Sequence, residues 1–92
     1  MEEETLSALE TLALESIREG ERLDRQGQPH RAEQQYLTAL RTCETLYRRT
    51  GDRRFASAAR DCCLSLADLN MQQGNMHGAD AYYVRAMDDT LI

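Results

Sequence analysis

Apolar and small residues recur at helical spacing along almost the whole chain. Leu6, Leu9, Ala13, Ser16, Gly20 and Leu23 form one stripe, the i, i+3, i+4, i+7 pattern of an amphipathic helix. Thr5 is placed to cap its start and Gly27 to end it. Pro29 follows in the first turn of a second helix, where its missing N–H costs nothing. Ala32, Tyr36, Ala39, Cys43 and Tyr47 mark that helix's buried face, and Gly51 stops it. Asp52 caps a third helix with the stripe Phe55, Ala59, Cys63, Leu66, Ala67 and Asn70. Gly74 ends it, Asn75 caps a fourth, and Ala79, Tyr83, Ala86 and Met87 face inward from that one. Short glycine-containing turns force antiparallel neighbours. The predicted fold is all-α, with two stacked antiparallel helical hairpins.

The two hairpins are copies of one unit. Under a shift of 47 residues Gln26 falls on Gln73, Gly27 on Gly74, His30 on His77, Ala32 on Ala79, Tyr36 on Tyr83 and Ala39 on Ala86. That is six identities in fourteen positions, where unrelated sequence gives roughly one. Similar pairs extend the register: Ile17 with Leu64, Glu21 with Asp68, Leu37 with Val84. Residues 1–92 read as a single domain, with repeat one at about 5–51 and repeat two at about 52–92. The second copy looks truncated, since nothing corresponds to Leu46 and Tyr47.

Gly20-x2-Leu23…Gly27-x4-Ala32-x3-Tyr36-x2-Ala39-Leu40, and its partner Ala67…Gly74-x4-Ala79-x3-Tyr83-x2-Ala86-Met87, resemble the tetratricopeptide repeat. The period of 47 is longer than that family's roughly 34, and the excess lengthens the arms around Arg41–Ala59. Ser16 and Cys63 stand where the family has a large aromatic, and Asn70 replaces the apolar Leu23. The resemblance implies that small residues on the first helix of each pair admit the second, and that Tyr36 and Tyr83 fill the seam.

It also implies a function. Such arrays bind a peptide or helix of a partner protein on the concave face, lined by the first helix of each pair. Carried onto this sequence, that face takes Leu14, Ile17, Glu21, Asp24 and Arg25 from helix one, and Asp61, Leu64, Asp68, Met71 and Gln72 from helix three. An apolar row beside an acidic row suits an amphipathic or basic ligand. A grip on an acidic tail is disfavoured, because Arg18 and Arg25 are the only cations on this face. The alternative is an oligomerisation or capping segment. No polar capping helix follows the second hairpin, so Tyr82, Met87, Leu91 and Ile92 are candidates for self-association or the docking of another helix.

Composition narrows the rest. The 92 residues carry eleven Arg, no Lys and sixteen Asp or Glu, for a net charge of −5. Ten Val, Ile and Thr against eleven Ala and twelve Leu favour close-packed helices over sheet. No apolar run reaches membrane-spanning length and no signal peptide opens the chain. Cys43 and the adjacent Cys62 and Cys63 form neither a disulfide framework nor a zinc spacing, so a cytoplasmic location with reduced thiols is expected. Arg48, Arg49, Arg53 and Arg54 crowd the turn at Gly51. Arginine forks suit phosphate, but the acidic balance and the lack of interleaved aromatics disfavour nucleic acid. His30 and His77 repeat without a nucleophile or an acid–base partner. The expectation is a non-catalytic module with no cofactor and no metal.

Overall fold

The computed structural model describes residues 2–88. Four helices follow one another: α1 (Glu2–Arg25), α2 (Pro29–Thr50), α3 (Arg53–Gln72) and α4 (Met76–Met87). There is no strand among the described residues. Each helix packs chiefly on its neighbours in sequence, α1 on α2, α2 on α3 and α3 on α4. The Cα envelope measures 43 × 29 × 13 Å. Its thin dimension accommodates two helix layers at the usual 8–10 Å axial spacing. No helix of the described residues is long and apolar enough to cross a membrane.

The 47-residue shift reappears in the backbone. Gly27 and Gly74 both take left-handed conformations, with φ of 72° and 77°. Beyond them the Gln28 N–H donates to the Leu23 carbonyl at 2.9 Å, and the Asn75 N–H to the Asn70 carbonyl at 2.8 Å. Both are six-to-one closures that only a residue tolerant of positive φ permits cheaply. α1 and α3 end 47 positions apart, and so do the starts of α2 and α4. The capping expectations hold at two sites. Asp52 accepts the Arg54 N–H and Asn75 accepts the Gly78 N–H, both at 3.0 Å. Thr5 is different: α1 begins at Glu2, so Thr5 lies inside it. Glutamate is a good helix former, and the run Glu2-Glu3-Glu4 carries the helix past the expected start.

The core is leucine held between alanines. Leu23, Leu40, Leu46, Leu66 and Leu69 are fully buried, and Ala32, Ala39 and Ala59 have no exposed surface. Three expected inward residues sit elsewhere. Tyr47 is only half-buried, at the far end of α2. Met87 is 80% exposed, at the last position of α4. Tyr83 is half-buried, while its neighbour Tyr82 packs against the core. The reason lies at the equivalent seat in the first copy. The Tyr36 ring lies 3.1 Å from where a Cβ on Gly20 would stand. The second copy has Ala67 at that position, so a ring cannot take the same seat, and Tyr83 instead reaches out to donate its hydroxyl to Asp68 at 3.0 Å.

Two polar ties cross the core. Asn70, 5% exposed, donates to Glu33 on α2 at 3.0 Å and to the Leu66 carbonyl at 2.8 Å, and accepts from Asn75 at 2.9 Å. Glu44 on α2 is ion-paired with Arg85 on α4.

Candidate interaction groove

A half-open cleft of about 180 Å³ lies between α1 and α3, with α2 as its floor. α1 supplies Ile17 and Glu21. Tyr36 closes the bottom, and α3 supplies Ala58, Asp61, Cys62 and Ser65. The α3 residues are spaced i, i+3, i+4, i+7, one face of a helix. Ala58 and Ser65 are small, and their lack of bulk leaves the space open.

Burial, with the Glu21 carboxylate adding to it, pushes the Tyr36 phenol above its usual pKa. The neighbouring Cys43 thiol, together with burial, raises the Cys62 thiol far out of its ordinary range. Burial likewise raises Cys63. All three cysteines are free and buried. Glu21 and Asp61 are exposed at the rim, and neither is ion-paired among the described residues.

The residues assigned to the concave face from sequence do not converge on one spot. Ile17, Glu21 and Asp61 line the cleft. Asp68 and Met71 gather instead around the Tyr83 hydroxyl, at 3.0 and 3.5 Å, on the α3–α4 side. Leu14, Leu64 and Met71 are exposed apolar residues at 48%, 40% and 45%. Asp24 is half-buried and its charge also reaches Tyr36, while Arg25 and Gln72 are exposed at the ends of α1 and α3. Sequence reasoning passed over Tyr36, Ala58, Cys62 and Ser65 as cleft residues. The 58/61/62/65 spacing was the available signal, hidden because the cysteine and the tyrosine read as core.

The remaining candidates divide. Tyr82 is half-buried and Met87 exposed, whereas Leu91 and Ile92 lie outside the described residues. Within the arginine cluster, Arg54 chelates Asp52 through contacts of 2.7 to 3.2 Å and lies 6.0 Å over the Phe55 ring. Arg48 and Arg49 occupy the last turn of α2, where cations complement the helix dipole. Arg48, Arg49 and Arg54 therefore have local structural explanations. No protein-family model, curated protein or solved structure matches the chain.

Proposed function

We propose that this chain is a non-catalytic protein-interaction module of tetratricopeptide type. In this reading the α1–α3 face holds an amphipathic or basic segment, peptide or helix, of a partner protein. The observation that carries it is the cleft itself, a slot of mixed apolar and hydroxyl lining beneath two carboxylates, Glu21 and Asp61, that are unpaired among the described residues. Exposed Leu14 and Leu64 extend apolar surface on the same two helices. Helices fixed by a leucine core present that surface ready-made, so a docking segment orders itself against a rigid partner and loses less affinity to reorganisation. Reduced buried thiols suit a cytoplasmic setting.

A displayed random-peptide library tests this directly. Enriched sequences should combine apolar and basic residues, and a variant carrying Ile17→Asp and Leu64→Asp should lose them. Peptides that bind the variant as well as the parent chain would place recognition elsewhere.

A second reading has its own observation. Met76, Val84 and Met87 on α4 are 56%, 68% and 80% exposed, a run of apolar surface suited to self-association. Sedimentation at two protein concentrations decides it, and a concentration-independent monomer removes this reading.

A further inference from the structure

Resting on the groove reading above, we infer that the α1–α3 cleft is a seat for a single arginine side chain of the partner segment. Its volume of about 180 Å³ falls below the roughly 300–1,000 Å³ of small-molecule sites, so it suits one side chain and not a metabolite. Its walls change character with depth. Ile17 and Ala58 offer apolar contact, Tyr36 and Ser65 line it with hydroxyl-bearing side chains, and Glu21 and Asp61 line it from opposite helices. An acidic side chain is repelled there, and a purely apolar one leaves both carboxylates unneutralised. A long aliphatic stem ending in a cation satisfies both zones.

Between the two cations the geometry favours guanidinium. Its planar fork carries five donors, enough to serve two carboxylates on different helices and a hydroxyl at once. It is also more weakly hydrated than an ammonium, so it enters a partly enclosed slot at lower cost. The slot thereby sets one position of the ligand sequence, where the wider groove sets only its amphipathic character.

The test uses a probe too short to span the groove. N-acetyl-arginine N-methylamide is titrated into the isotope-labelled full chain, and amide shifts are followed by NMR. The expected result is saturable shifts at Glu21, Tyr36, Asp61 and Ser65. The lysine derivative should bind about fivefold more weakly and the uncharged citrulline derivative at least about tenfold more weakly. Glu21→Gln combined with Asp61→Asn should abolish saturation while leaving the helical circular dichroism intact, since both residues are exposed. Equal shifts for arginine and citrulline, shifts scattered over other carboxylates, or no saturation at all overturn the assignment. Shifts at these residues that grow with protein concentration and no probe give the slot to a second copy and overturn it too. Library peptides that still need Ile17 and Leu64, with no arginine preference, sink the slot alone. Loss of both behaviours sinks the groove as well.

Discussion

Gly20 and Tyr36 are matched: the ring carbons of Tyr36 stand 3.1 Å from the place a Cβ on Gly20 would occupy. Gly20→Ala gains roughly 1 kcal/mol of helix propensity and meets an overpacking cost of about 1–3 kcal/mol. Tyr36 is buried, so any retreat of its ring from the added methyl gives up packing. The variant should be less stable by about 1 kcal/mol in urea denaturation. In a Tyr36→Leu background the same change should become stabilising, and a double-mutant cycle reads the coupling.

Asn70 stands where the first copy has Leu23, and it serves as a polar hub between α2, α3 and the start of α4. Restoring the repeat's leucine with Asn70→Leu should therefore destabilise the chain, by about 1–3 kcal/mol, because Asn75 and Glu33 lose their partner. Asn75→Ala removes the cap of α4 and should cost about 1 kcal/mol. Equilibrium unfolding measures both, and a stabilised Asn70→Leu variant would contradict the hub.

The Glu44–Arg85 pair ties α4 to α2 across the hairpin boundary. Glu44 is nearly buried while Arg85 is partly exposed, so breaking the pair should cost about 1–2 kcal/mol, short of a fully buried pair. Hydrogen exchange on Arg85→Ala should show protection falling across Met76–Met87 more than across Pro29–Thr50.

Stability should fall at both ends of the pH scale. The Arg54 hydrogen bond holds the Asp52 carboxyl below its ordinary pKa. Its contribution is therefore present above the ordinary carboxylate value and is lost as pH falls through the lowered one. Burial raises the Cys63 thiol, so the folded state keeps its proton longer than the unfolded chain. Stability is then intact below the ordinary thiol pKa of about 8.5 and declines as pH rises above it. Denaturation midpoints against pH should show a shallower acid limb for Asp52→Asn and a shallower alkaline limb for Cys63→Ala.

Leu64 and Met71 are exposed, so Leu64→Asp should shift stability by no more than about 0.5 kcal/mol. A thermal melt on that variant separates lost binding from lost folding.

Helix identity and punctuation were legible because they rest on local chemistry. Gly27, Gly51, Gly74, Pro29, Asp52 and Asn75 each do in the structure what their residue type dictates. The limits appear where a property depends on a neighbour. Leu40, Leu46, Cys62 and Leu69 are buried beyond the expected stripes, because α2 and α3 are each covered on two sides by flanking helices. Tyr36 and Tyr83 occupy equivalent sequence positions but part company over one methyl group, at Ala67. The cleft was half legible: its carboxylates and Ile17 stood out by charge and spacing, while its floor and small-residue wall depend on how far α1 stands from α3. Helical spacing along a single chain does not encode that distance.

Among the described residues the helices pack chiefly on their neighbours in sequence, the Glu44–Arg85 tie between α2 and α4 apart, and this bears on how the chain assembles. Short separations between touching residues make for fast folding. They also let the structure grow in the order of synthesis. α1 and α2 can close on each other as soon as both have emerged from the ribosome, and each later helix arrives at a seat already built.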